Sequence, residues 1–180
     1  NTPMKTTPTF FALFLSLITF AFGQENDCSQ ARSQVYQGFL ANSPNLIADG
    51  VDAYAAMFEA DPSLENRFHL LQARDVLLGY CMQDEDCGFD RDELLESMIE
   101  DAKQLTKKDG DNATYAATLS SLYGVKIALN PMQGMFLGSK SNKLIDEALE
   151  LDPAHPLVHF EKAGSLYFTP ETWGGDKAKA

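Results

Sequence analysis

His155 and His159 are separated by Pro156-Leu157-Val158, and two imidazoles four residues apart can share one helix face and hold a divalent metal. The segment lacks the glutamate of a His-Glu-x-x-His metalloprotease. Pro156 also sets His155 at or before a helix start, which turns the two rings apart. Two ligands without a third do not make a site, so no metal is expected here. The densest acidic group is Asp84, Glu85, Asp86, Asp90, Asp92 and Glu93. A calcium loop counted from Asp84 needs glycine at its sixth position and glutamate at its twelfth, and the chain has Phe89 and Leu95 there. A solvated loop leading into a helix cap is the expectation, with a weak calcium site as the alternative. No nucleophile elbow, phosphate loop or dinucleotide glycine fingerprint is present. The sequence therefore predicts no catalytic residue and no cofactor. The sequon at Asn112-Ala113-Thr114 is read as accidental.

The remaining chemistry is that of thiols. Cys81 and Cys87 flank a five-residue acidic segment, and Cys28 is the odd one out. Three cysteines allow three single bridges; proximity favours Cys81–Cys87. Their number and spacing do not suit zinc. The N-terminus gives the thiols a context. Met4-Lys5 supplies a basic start, residues 10–22 form an apolar run broken only by Ser16 and Thr19, and small residues precede Gln24. This is the order of a secretory signal peptide spanning residues 1–23, with residues 1–3 readable as a gene-calling artefact. The run is shorter than the ~20 residues of a spanning helix, and Gln24 stands where a lipoprotein would have cysteine. An exported chain, periplasmic or secreted, with no integral membrane segment after cleavage, is expected. Loss of Lys5 takes the formal net charge from −12 to −13. Such an acidic chain without a Lys/Arg cluster is a poor ligand for nucleic acid.

The elements that carry these residues are helical. Ala, Leu, Glu, Lys and Met collect in runs of helical length, with almost no alternating pattern of the strand type. A first helix runs to Ala41 and stops at Asn42-Ser43-Pro44. A second, from Leu46 to Ala60, should bury Leu46, Ala53, Tyr54, Met57 and Phe58, and ends at Asp61-Pro62. Ser63 caps a third, ending near Met82. Asp90 and Glu93 start a fourth in the manner of a capping box, with Lys103, Lys107 and Lys108 toward its end. Asp109-Gly110-Asp111 breaks it, and a fifth runs from Asn112 to about Leu129. Residues 132–139, with Gly134 and Gly138 around Met135-Phe136-Leu137, read as an apolar loop tucked against its neighbours, the alternative being a binding patch. A sixth helix ends at Leu151, a seventh covers residues 156–168, and an eighth begins near Asp176. Trp173, the only tryptophan, sits in the turn before Gly174-Gly175. Burial there is the expected state; exposed, it would join Met135 and Phe136 as a partner anchor.

These pairs share spacing that resembles the tetratricopeptide (TPR) repeat. Phe160-x2-Ala163-Gly164-x2-Tyr167 matches the first part of the signature, and Ser141-x3-Ile145-x2-Ala148-x4-Pro153 the second. Gly50-x3-Tyr54-x2-Met57-x4-Pro62 is a further copy, Phe68-x2-Leu71 and Ala116-x2-Leu119-Ser120-x2-Tyr123 fainter ones. Gln72 and Asp75 stand where a small residue and an aromatic belong. The stops at Pro62, Gly110 and Pro153 are 48 and 43 residues apart, against 34 in the family. The resemblance implies an all-α fold of antiparallel helix hairpins, a right-handed TPR-like solenoid over residues 24–180, whose last repeat is incomplete. In it Phe160, Ala163, Gly164, Tyr167, Ala148, Pro153, Tyr54, Pro62, Phe68 and Leu71 would pack helix on helix, small residues admitting close approach and prolines ending the second helix. It further implies a non-enzymatic scaffold whose concave face takes a protein or peptide partner. The alternatives are a ligand-binding accessory subunit of a periplasmic uptake system, and the N-terminal part of an exported enzyme.

Overall fold

Short polar residues and prolines set the helix boundaries, and the computed structural model, which describes residues 28–84, 87–171 and 174–180, shows how. Helix α1 (28–40) ends at Asn42, whose φ of 51° is the left-handed conformation that asparagine tolerates after a helix. Helix α2 (Pro44–Ala60) begins with Ser43 Oγ accepting from the Leu46 amide and Pro44 in the first turn. Helix α3 (Leu64–Cys81) is capped by Ser63, which accepts from the Asn66 amide at 3.3 Å. Helix α4 (Arg91–Lys108) starts where Asp90 Oδ1 accepts from the amides of Asp92 and Glu93, both at 3.0 Å. Helix α5 (Ala113–Leu129) is capped by Asn112, which accepts from the Tyr115 amide. A 3₁₀ turn (Pro131–Gln133) leads into α6 (Gly134–Leu151), and α7 (Pro156–Phe168) follows. Each cap satisfies amides that the first helical turn leaves without a partner, an effect of about 1 kcal/mol per helix. Among the described residues the fold is all-α, and no helix is long and apolar enough to cross a membrane.

The ends of α2, α4 and α6 are alike. Asp61, Asp109 and Asp152 take φ of −139°, −137° and −140°, and their amides donate to the carbonyls of Met57, Leu105 and Ala148. Upstream of each, the same three positions face inward: Gly50, Tyr54 and Met57; Met98, Ala102 and Leu105; Ser141, Ile145 and Ala148. All of these are buried except Met57, which is partly so. The turn after Asp61 is tied by Asn66 Nδ2, which donates to the carbonyl and to the side chain of Asp61 at 2.9 and 3.0 Å. Asn112 Nδ2 likewise donates to Asp109 at 3.3 Å.

Consecutive helices are antiparallel and alternate ones parallel. Arg67 and Arg74 of α3 both donate to Asp101 of α4, at 2.5 and 2.8 Å. Lys126 of α5 pairs with Glu96 of α4, and Lys162 of α7 with Asp146 of α6 at 2.8 Å. The core is threefold. One cluster joins α1, α2 and α3 around Val35, Ile47 and Leu77; a second joins α3, α4 and α5 around Leu71, Met98 and Leu119; a third joins α5, α6 and α7 around Ala117, Ile145 and Val158. Helices α3 and α5 are each shared by two clusters, which links the three into one stack. Each fully buried Leu or Ile contributes about 1.5–3 kcal/mol to it.

Three expectations change. Residues 134–139 are the first turns of α6, not a loop: Leu137, Ser141, Leu144, Ile145 and Ala148 form one stripe that packs on α5, and this offsets the cost of about 1 kcal/mol for each helical glycine. Met135 and Phe136 are consequently turned out, 68% and 65% exposed. In α2 the buried side is Ile47, Gly50 and Tyr54, while Leu46 is exposed and Ala53, Met57 and Phe58 are partly covered. A Cβ on Gly50 would lie 2.9 Å from the Val35 amide nitrogen, so α1 comes close enough to fix which face of α2 is inside. Residues 177–179 form a turn instead of an eighth helix, although Asp176 Oδ1 accepts from the amides of Ala178 and Lys179 as a cap would. The signal-peptide segment and Trp173 lie outside the described residues.

Candidate functional site

Helices α5 and α7 run side by side, and α3 meets α5 near their starts. Phe68 of α3 meets Tyr115 of α5 with ring centroids 5.2 Å apart. Thr114 of α5 lies 3.3 Å from Nε2 of His155, the residue that begins α7. One turn or two further along the same helices, Ser121 of α5 lies close enough to Glu161 of α7 to favour its charged form, and Glu161 also feels the charge of Asp75 on α3. Three parallel helices thus bring Asp75, Ser121 and Glu161 to one surface.

Each of these residues is followed, one helical turn on, by a glycine over open space. The pairs are Asp75 and Gly79, Ser121 and Gly124, Glu161 and Gly164; a Cβ on any of the glycines would meet nothing within 4 Å. Residues three or four apart share a helix face, so the surface alternates polar side chains with uncovered backbone. A chain or ligand can approach closely there.

Two carboxyls on this face are shifted in the same direction. Burial pushes the Asp75 carboxyl above the usual carboxylate range, although its accessible area is that of an exposed residue. Water reaches such a group while the crowding helices strip part of its hydration. Glu161 is pushed up first by burial and further by Asp75, against the opposing influence of the Ser121 hydroxyl. Among the described residues neither carboxylate has a basic partner within ion-pair distance, whereas Asp101 of α4 has two arginines. The surface therefore favours a ligand that brings positive charge or hydrogen-bond donors.

Cys81 and Cys87 form a disulfide with Cα atoms 5.1 Å apart, tying the end of α3 to the loop before α4, and both cysteines are buried. Cys28 is a free thiol, partly buried beside Tyr54 and Arg32. His155 and His159 do not converge: His159 Nε2 donates to the Pro153 carbonyl at 2.8 Å while His155 faces Thr114. Among the described residues no group of three or more His, Cys, Asp or Glu could hold a metal ion.

The residues assigned to repeat packing divide. Tyr54, Leu71 and Ala148 are buried, and Phe68 packs on the second cluster. Pro62 and Pro153 lie exposed in their turns. Phe160 and Tyr167 do not pack between described helices; they are 73% and 50% exposed, and Ala163 and Gly164 are partly covered. The reason is the direction in which α7 docks. It seats Val158 against α5 and α6, which turns the Phe160–Tyr167 stripe away from both. The stripe of Asp75, Ser121 and Glu161 was not singled out in the sequence. Its one legible trace is Asp75, a carboxylate where the repeat pattern calls for an aromatic.

Comparison with protein-family models, with curated proteins and with solved structures gives no match.

Proposed function

We propose that this chain is an exported, TPR-like helical-repeat scaffold that binds a protein or peptide segment along the face of α3, α5 and α7. The observation that carries the reading is the stripe of Asp75, Ser121 and Glu161 with its open glycines, contributed in like manner by three parallel helices. An extended segment laid across such a face meets acceptors for its basic side chains and bare backbone where its own chain passes. Recurrence of the same inward positions and Asp caps in α2, α4 and α6 supports a repeat architecture. The buried Cys81–Cys87 bridge suits an oxidising compartment and so supports export.

The test is capture from a cell-envelope extract by the wild-type chain and by Gly124→Trp, which fills the open face without touching a core. Partners retained by the wild type and lost by Gly124→Trp are expected; the same captured set with both, or none with either, would refute the binding face. The two unpaired carboxylates also favour a second reading, a small cationic ligand delivered to an uptake system. In that case a panel of cationic metabolites raises the melting temperature of the wild type and not of Gly124→Trp.

A further inference from the structure

Antiparallel order places the α1–α2, α3–α4 and α5–α6 connections at one end of the stack, together with the end of α7. The α2–α3, α4–α5 and α6–α7 connections share the opposite end. Among the described residues, every large apolar side chain that stands exposed, except Leu151 and Phe160, lies at the first end. Phe39 and Leu40 close α1, Met132, Met135 and Phe136 surround the α5–α6 connection, and Tyr167 and Phe168 finish α7; of these, all but Tyr167 are more than 60% exposed.

Charge is partitioned in the same way. Residues 33–48 and 127–139, which form the α1–α2 and α5–α6 tips, contain no Asp, Glu, Lys or Arg, in a chain that is 22% charged. The α3–α4 tip between them is acidic, with Asp90, Asp92 and Glu93 beside Phe89 and one basic residue, Arg91. The opposite end is built on Asp61, Asp109, Asp111 and Asp152.

We infer that the first end is a docking surface, separate from the α3–α5–α7 face, for a protein segment whose apolar side chains seat on the two uncharged tips and whose Lys or Arg residues face the acidic tip between them. Charge selects this occupant. An anionic bilayer would repel both the acidic tip and the net charge of −12. A second copy covering both apolar tips would set one acidic tip against its twin across a two-fold axis. Helices pack 8–10 Å apart, so the outer tips are on the order of 20 Å from each other, within reach of about six extended residues.

The probe is a random peptide library displayed against the immobilised chain, followed by fluorescence anisotropy with the selected peptides. Enriched peptides should carry apolar residues on both sides of Lys or Arg. Their affinity should fall at least about tenfold for Phe39→Ser and for the Met135→Ser/Phe136→Ser pair. It should be unchanged for Gly124→Trp, which separates this surface from the proposed binding face. The three side chains replaced are largely exposed, and circular dichroism checks that the variants keep their helix content. The inference is overturned if no peptide is enriched, if enriched peptides lack basic residues, or if they lose affinity only to Gly124→Trp. It is overturned equally if phosphatidylcholine vesicles sediment with the wild type and not with the tip variants, or if sedimentation shows a dimer that those variants abolish.

Discussion

Ser120 of α5 and Ser141 of α6 each donate a hydroxyl hydrogen bond to the other's backbone carbonyl, at 2.8 and 2.9 Å, with their Oγ atoms 3.0 Å apart and both residues buried. Two helices can exchange side-chain-to-backbone bonds in this way only when their backbones run close, and only small side chains permit that. Ser120→Ala or Ser141→Ala should cost about 0.5–1.5 kcal/mol, the net worth of one such bond. Ser141→Leu should cost more, about 1–3 kcal/mol, because it forces α5 and α6 apart. Urea unfolding of the variants checks the order; equal losses for Ala and Leu would show that close approach is not what the serines secure.

Gly50 and Gly164 should respond in opposite directions to the same substitution. At Gly50 a Cβ would come within 2.5 Å of Val35 Cγ2, 2.9 Å of the Val35 nitrogen and 3.0 Å of the Ala31 carbonyl oxygen, so α1 must move. Gly50→Ala is expected to destabilise by about 1–3 kcal/mol. At Gly164 nothing lies within 4 Å, and Gly164→Ala should stabilise α7 by about 0.5–1 kcal/mol through its helix preference. Thermal melts of the two variants decide this.

Reduction of Cys81–Cys87 should loosen the α3–α4 connection. Closing so short a loop is worth about 2 kcal/mol in the chain-entropy account, or a fall of about 4–8 °C in a chain of this size. The paired Cys81→Ser/Cys87→Ser variant should melt at the same lowered temperature with or without dithiothreitol. A wild type insensitive to reductant would refute a stabilising bridge.

Asp75 and Glu161 make a pH signature of the candidate face. Both carboxyls titrate above their unfolded values, burial being the first cause in each. The folded state therefore holds protons that the unfolded chain has released. The associated stability is complete below the ordinary carboxylate value of about 4 and is lost as pH rises through the raised values. Asp75→Asn and Glu161→Gln remove that loss, so each should gain in melting temperature relative to the wild type between pH 4 and pH 7. Curves that stay parallel to the wild type across this interval would show that the face does not desolvate its carboxylates.

How far the sequence reached depended on range. Ser63, Asp90 and Asn112 mark helix starts because a cap acts over three residues of the same chain, and Pro156 begins a helix for a reason internal to proline, whereas Pro44, expected only as a stop, also opens α2. The stripe Ser141, Ile145, Ala148 was legible because a strict helical period leaves one choice of buried face. In helix α2 the expected side, led by Leu46, was not the one buried, and α1 brings the Ile47 side inward through its contact at Gly50. The turns at 134–139 looked like a loop because two glycines weaken local preference, and the packing of Leu137 and Leu144 on the second cluster outweighs that weakness.

By itself, then, the sequence determined the helical character of the described residues, the breaks at Asp61, Asp109 and Asp152, its acidity and the residues able to cap several helix starts, all properties set within a few residues. Only the tertiary structure decided that Asp75, Ser121 and Glu161 share a face, that Phe160 and Tyr167 point away from the helices they were expected to join, and that the uncharged tips collect at one end. The first and last of these are relations between helices 40 or more positions apart in sequence, and the second depends on how α7 docks on α5 as well as on α6. They follow from which helices stack in parallel, a choice that burial of the whole set makes together.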